Sequence, residues 1–287
     1  MFIIFTDLDG TLLDADDYSF EAAQPMLTVL KQQQIPIIPV TSKTRQEVEL
    51  LRQHLDLSEP FVVENGSGIF TDASDERFQL ADAEAVDQYH MLRLGCSYAE
   101  AREGLQQLSH ALRTELRGFA DLSEAEIQEM TGLPLADVAR AQARDFTEPF
   151  ITPRHIEPEH LEATVEELGF RVVVGDRFSH LIGKQAGKGE AVKALTERYS
   201  ANMRANATSG SSSGAVTTIG LGNSPNDLGL LGAVDVPIIV PGRNGPHPGL
   251  LGKNWAIAPY AYSKGWAAAV SQILEQKSTQ LMGRAIH

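Results

Sequence analysis

Short uninterrupted apolar runs alternate along the first part of the chain with segments whose apolar positions recur at helical spacing. Phe2-Ile3-Ile4-Phe5, Ile35 to Val40 and Phe61-Val62-Val63 are continuous runs, which predict strands buried on both faces as in a parallel sheet. Glu21 to Gln33 reads as a helix, and Thr44 to His54 as a second helix with Glu47 in its first turn. Strand, helix, strand, helix, strand at this spacing predicts a doubly wound, mostly parallel α/β sheet.

The rhythm changes after Glu64-Asn65-Gly66. A strand at Tyr89 to Leu94, a helix from Tyr98 to about Leu112 and a polar helical stretch from Ser123 to Ala143 follow. Phe146 to Thr152, a helix near Glu159 to Leu168, and strands at Phe170 to Val174 and Phe178 to Ile182 complete a small α+β unit. Buried parallel character returns at Val216 to Leu221 and Val236 to Val240, with helices at Lys188 to Arg198 and Trp266 to Glu275. The expected organisation is a core of residues 1–84 and 186–287 interrupted by an inserted α+β domain at 85–185.

Composition narrows the function. The 287 residues are 43% hydrophobic and 22% charged, with a formal net charge of −14, so no broad basic surface awaits a polynucleotide. A single cysteine, Cys96, excludes an internal disulfide and reads as a small buried hydrophobe. The apolar start, Met1 to Phe5, is too short for a signal peptide or membrane span. A cytoplasmic protein with no nucleic-acid or membrane partner is expected, its oligomeric state unread.

Four motifs carry candidate chemistry. Asp7-Leu8-Asp9-Gly10-Thr11 stands where the first strand emerges at the carboxyl end of the sheet, the usual place for ligands in this architecture. Val40-Thr41-Ser42-Lys43-Thr44 ends the second strand and leads into a helix, where hydroxyl and N–H groups bind anions. Thr44 and Glu47 also form a capping-box pattern, so Thr41 is left to serve a ligand. Ala186-Gly187-Lys188-Gly189 offers one lysine to a phosphoryl oxygen. Gly220-Leu221-Gly222-Asn223-Ser224-Pro225-Asn226-Asp227 gathers oxygen donors of the kind Mg²⁺ prefers. Each has a plainer reading, as a turn, a cap or a solvated side chain.

Other patterns fail on context. Gly183 to Gly189 mimics a P-loop, but its spacing is one residue short and Gly189 replaces the required hydroxyl. Gly210-Ser211-Ser212-Ser213-Gly214 spells a serine-hydrolase elbow inside a linker-like stretch. The eight histidines show no paired spacing that suggests zinc.

Taken in order, the four motifs resemble those of the haloacid dehalogenase-like phosphohydrolases, with a Rossmann-like core and a type-IIB cap. More narrowly, Val40 to Thr44, Val63 to Gly66, Thr131-Gly132-Leu133, Arg144 to Phe150 and Gly175 to His180 are similar to stretches of mannosyl-3-phosphoglycerate phosphatases. The resemblance implies that Asp7 accepts the phosphoryl group, that Asp9 is acid and then base, and that Thr41 and Lys188 hold phosphoryl oxygens. It implies Mg²⁺ held by Asp7, Asp9, Asn223 and Asp227. The family carries an acid where this chain has Asn223, so weaker metal binding or a larger share for Asp227 is expected. Lys43, Asn65, Arg144, Glu148, Arg177 and His180 are the implied substrate contacts. The implied reaction is hydrolysis of a mannosyl- or glucosyl-3-phosphoglycerate. Another sugar phosphate, such as sucrose phosphate or a hexose phosphate, remains open, as does a phosphosugar-binding protein without turnover.

Overall fold

The computed structural model describes residues 1–174, 178–205 and 216–284, without the side chains of 277–284. By contact the chain forms two compact units, Met1–Pro39 with Met203–His287, and Val40–Asn202.

In the first unit, strands β1 (Phe2–Thr6), β2 (Ile37–Pro39), β10 (Thr217–Gly222), β11 (Val236–Ile239) and β12 (Ala256–Ile257) form a parallel sheet in the order β12-β11-β10-β1-β2. Every residue of β1 is buried, as its unbroken apolar run predicts. Helices α1 (Gln24–Gln32), α8 (Leu228–Gly232) and α9 (Tyr262–Arg284) accompany the sheet, α1 packing on α9. From β1 the chain moves to one side, to β2, whereas β10 and β11 extend on the other. Strand order therefore reverses between β1 and β10, and in open α/β sheets such a point opens a crevice at the carboxyl ends.

The second unit holds two antiparallel sheets. Strands β3 (Phe61–Val63), β4 (Gly68–Asp72), β5 (Glu84–Val86) and β6 (Tyr89–Arg93) are ordered β3-β4-β6-β5, and α2 (Arg45–Leu55) packs on β3. Strands β7 (Glu148–Ile151), β8 (Phe170–Val173) and β9 (Phe178–Gly183) are ordered β7-β9-β8. One face of this second sheet buries Phe150 and Leu181 against Leu105 and Leu108 of α3 (Tyr98–Ala111) and Leu161 and Val165 of α6 (Pro158–Glu167). Ile151 and Phe178, on the other face, pack on Ile127 of α4 (Glu124–Thr131) and Val138 of α5 (Leu135–Gln142). Helix α7 (Lys188–Ala205) follows, and the unit ends within its last turn, at Asn202.

Two sequence expectations change. The run Phe61 to Val63, expected to extend the parallel sheet, pairs antiparallel with β4, besides a parallel bridge from Val62 to Val40. The reason lies in Glu64, Asn65 and Gly66, whose φ angles of 49°, 59° and 88° turn the chain back on itself. The helical stretch from Ser123 to Ala143 is two helices, because Gly132 adopts a left-handed C-cap (φ 75°) and Pro134 follows. The expected boundary between 84 and 85 falls inside β5, and that between 185 and 186 lies just ahead of α7. No helix among the described residues is long and apolar enough to cross a membrane.

Candidate active site

In the first unit, the parallel register pairs Thr6 with Leu221, and the Asp7 N–H donates to the Leu221 carbonyl at 2.9 Å. Asp7 is therefore delivered beside Gly222, at the reversal of strand order. Its carboxylate is 6% exposed, and Oδ2 accepts a hydrogen bond from Thr11 Oγ1 at 3.2 Å. The turn between them needs Gly10. Its φ is +73°, and a Cβ there would stand 2.3 Å from Asn223 Nδ2. That close approach sets the Asn223 amide against the Asp9-Gly10 turn.

Asp227 is fully buried and folds over Gly222, where a Cβ would meet Asp227 Cβ at 2.5 Å. Its Oδ2 accepts from the N–H groups of Asn223 at 2.9 Å and Ser224 at 3.1 Å. This carboxylate thus shapes the loop that presents Asn223. Asp7, Asp9 and Asn223 each carry an oxygen donor of the kind a hard divalent cation takes. Among the described residues no group of three or more His, Cys, Asp or Glu side chains could hold a metal, so Asn223 would have to supply its amide oxygen. The two atoms of that amide exchange places by a half-turn of the side chain.

In the second unit, the loop after Val40 and the turn after β3 are laced together. Asn65 N–H donates to the Thr41 carbonyl and Glu64 N–H to the Lys43 carbonyl, each at 2.9 Å. Thr41 is 1% exposed, and its Oγ1 accepts from Lys43 N–H at 3.2 Å. Thr44 and Glu47 complete the expected capping box of α2. Lys43 Nζ lies 3.7 Å from Glu47 Oε1. Gly66 lies so close to the start of α7 that a Cβ on it would stand 2.2 Å from Gly187 C and 2.5 Å from Lys188 N. Lys188, 3% exposed, thereby joins Thr41, Lys43 and Asn65 in one neighbourhood.

His180 and Arg144 belong to that neighbourhood electrostatically. Burial, and then the positive charges of Arg144 and Lys188, push the His180 imidazole down to about 3, so it is neutral at physiological pH. Its Nδ1 is buried and has no hydrogen-bond partner among the described residues. Arg144 is turned toward protein groups: Nε reaches Glu64 Oε2 at 3.2 Å, and a terminal nitrogen reaches the Ser42 carbonyl at 2.9 Å.

Glu148 stands apart from this group. The β7–β9 register sets Glu148 with Leu181 and Phe150 on one face and His180 with Pro149 on the other. Fully buried toward α3, Glu148 Oε1 accepts from Arg102 at 3.2 Å and from Ala120 N–H at 3.1 Å. Burial holds its carboxyl above the ordinary range. Arg177 and the serine-rich Gly210-Ser211-Ser212-Ser213-Gly214 lie outside the described residues. Sequence reasoning missed Glu64, whose partners are some 80 positions away, and the two buried supports of the Asp7 loop, Thr11 and Trp266.

A parallel sheet with paired aspartates at its strand-order reversal defines a class, and similarity to known proteins agrees. Residues 4–94 match the haloacid dehalogenase-like hydrolase family. The chain belongs to that family. A glucosyl-3-phosphoglycerate/mannosyl-3-phosphoglycerate phosphatase of Persephonella marina is 38% identical over 275 residues, covering 96% of this chain and 97% of the relative. One from Methanococcoides burtonii is 36% identical over 277 residues, covering 95% and 97%. The fold is shared with a solved phosphatase of the same superfamily from Bacteroides thetaiotaomicron, with a TM-score of 0.64, 11% identity, and 94% and 93% coverage.

Proposed function

We propose that the protein is a phosphatase that hydrolyses mannosyl- or glucosyl-3-phosphoglycerate to the glycosylglycerate and inorganic phosphate, with Asp7 as nucleophile. The observation that carries the reading is the placing of Asp7 beside Gly222, at the carboxyl end of the strand pair where the sheet order reverses. Similarity to two enzymes of that printed activity over nearly the whole chain supports the substrate.

In the first step, Asp7 attacks phosphorus while the bond from phosphorus to the glycerate oxygen breaks. Asp9, entering as the acid, gives its proton to the departing oxygen. In the second, Asp9 takes a proton from water as that water's oxygen attacks phosphorus, and the Asp7 carboxylate leaves. Thr11, bonded to Asp7 Oδ2, keeps the nucleophile's carboxylate plane fixed through both steps. Repulsion between a phosphate dianion and two carboxylates is the main obstacle. Mg²⁺ held by Asp7, Asp9 and Asn223 would offset that repulsion when bound. We assign Thr41 and Lys188 to the phosphoryl oxygens, and Asp227 to the backbone that holds Asn223.

Lys43, Asn65, His180 and Arg177 are assigned to the leaving group, and Arg144 and Glu148 to the support of the surfaces that carry them. We take residues 85–185 as the specificity cap on a catalytic core of 1–84 and 186–287. Cys96, half-buried, donates to the Phe146 carbonyl at 3.4 Å, and burial pushes its thiol up to about 11, so little thiolate forms at physiological pH. A cytoplasmic setting is proposed on the single cysteine, which suits a reducing compartment. The test is phosphate release from mannosyl- and glucosyl-3-phosphoglycerate, sucrose phosphate and hexose phosphates, with Mg²⁺ and with chelator. Release from the first pair, abolished by chelator, is expected. Preference for sucrose or hexose phosphates would move the substrate assignment, and binding without release would remove the enzyme reading.

A further inference from the structure

One buried carboxylate in the second unit collects an unusual number of donors. Glu64, fully buried, accepts Asp145 N–H on Oε1 at 2.8 Å. Its Oε2 accepts Thr147 N–H at 2.8 Å, Thr147 Oγ1 at 2.7 Å, Arg144 Nε at 3.2 Å and Phe146 N–H at 3.3 Å. The whole turn 144–147 is thus wrapped around a single side chain that comes from the end of β3. Arg144 passes the connection on, reaching the Ser42 carbonyl at 2.9 Å. Glu64 N–H closes the circle on the Lys43 carbonyl.

The backbone at this point is held against its preference. Glu64 and Asn65 are consecutive non-glycine residues in the left-handed region, with φ of 49° and 59°, a conformation strained for any residue that carries a side chain. A second cost accompanies it. Asn65 is 2% exposed, yet neither Oδ1 nor Nδ2 has a hydrogen-bond partner among the described residues. An amide buried without partners is costly, because it has given up its water and gained no bond in return. Two such costs at adjacent residues persist only where the surroundings over-determine them, and the five donors on Glu64 do so.

We infer that Glu64 is a positioning residue for substrate selection: its carboxylate locks the left-handed turn that presents the unsatisfied Asn65 amide to a ligand group bearing both a hydrogen-bond donor and an acceptor. The hydroxyl-rich, carboxylate-bearing leaving group of a glycosyl-3-phosphoglycerate is such a partner, so this inference rests on the proposed substrate. Glu64 touches no substrate. It acts by fixing Asn65, and the lock is strong because charge-assisted hydrogen bonds to a buried carboxylate are the strong kind.

The experiment compares Glu64→Gln, Asn65→Ala and the double variant on the phosphate ester that the wild type hydrolyses best, with KM and kcat measured separately. Glutamine keeps the shape but turns an N–H toward donors that need an acceptor. KM rises about tenfold in each single variant, the effect of one lost hydrogen bond, while kcat falls less than threefold. The double variant is no worse than Asn65→Ala, because a misplaced amide and a missing one are equivalent. Should Glu64→Gln fail to fold, Thr147→Val removes only the hydroxyl donor from the carboxylate and raises KM by a smaller factor, about threefold, again with little change in kcat. Equal losses in kcat and KM, or penalties that multiply in the double variant, overturn the inference. If the wild type prefers a different ester the substrate proposal fails, while the coupling of Glu64 to Asn65 is still decided on that ester.

Discussion

Trp266 Nε1 donates to Thr6 Oγ1 at 3.0 Å, and the same hydroxyl donates to the Asp7 carbonyl at 2.7 Å. Helix α9 is thereby fastened to the backbone of Asp7, with both Trp266 and Thr6 fully buried. Ser263, one turn earlier, donates to Asp14 Oδ1 at 3.0 Å and so secures the other end of the loop that follows Asp7.

Trp266→Phe keeps most of the packing and removes the indole donor. A loss of about 1 to 2 kcal/mol in unfolding free energy is expected, read from urea midpoints at unchanged slope. An unaltered midpoint would show that the bond to Thr6 contributes nothing to the fold.

Asn223→Asp adds a negative charge where the amide stands against the Asp9-Gly10 turn. The Mg²⁺ concentration for half-maximal phosphate release should fall by about tenfold, since ligand charge tunes divalent affinity. Unchanged metal dependence would place the cation elsewhere.

His180 titrates in the folded protein near 3 instead of its ordinary 6.5, held down by burial and by Arg144 and Lys188. Between those values the unfolded chain binds the extra proton, so stability rises with pH through the window and declines as pH drops below 6.5. Urea midpoints from pH 7 to 5 should fall less steeply in His180→Asn than in the wild type. Identical slopes would mean that the imidazole is not shielded as described.

Arg102→Met tests the placement of Glu148. Arg102 is the cation on a carboxylate that is fully buried, and removing it leaves that charge uncompensated, at a cost of about 3 kcal/mol. KM should stay within about twofold, because Glu148 lies on the face opposite His180. A large rise in KM with intact stability would return Glu148 to the ligand contacts.

Strands β1, β2, β10 and β11 and the aspartate pair are legible because buried parallel strands print their burial as apolar runs, and Asp7 stands just past such a run, whereas the exposed edge strand β12 leaves no such signal. Local signals did as well elsewhere: the Thr44/Glu47 capping box is present as read. Strand β5, by contrast, escaped notice because Glu84 and Ala85 are exposed and carry no hydrophobic pattern. The break between α4 and α5 was written in Gly132 and Pro134 but outweighed by the helix formers around it. Glu64 looked like an ordinary polar residue closing a strand, since nothing in its own neighbourhood reveals donors drawn from residues 144–147. Arg144 reads from sequence as a substrate cation for the same reason. Its partners, Glu64 and the Ser42 carbonyl, are adjacent only in space.

The most direct test is chemical capture of the acyl phosphate proposed on Asp7. Enzyme mixed with mannosyl- or glucosyl-3-phosphoglycerate and Mg²⁺ is quenched in acid, reduced with borohydride and mapped by peptide mass. Conversion of Asp7 to homoserine, dependent on substrate and absent in Asp7→Asn, is the expected result. Continued phosphate release with Asp7 unmodified, or with conversion at another aspartate, would contradict it.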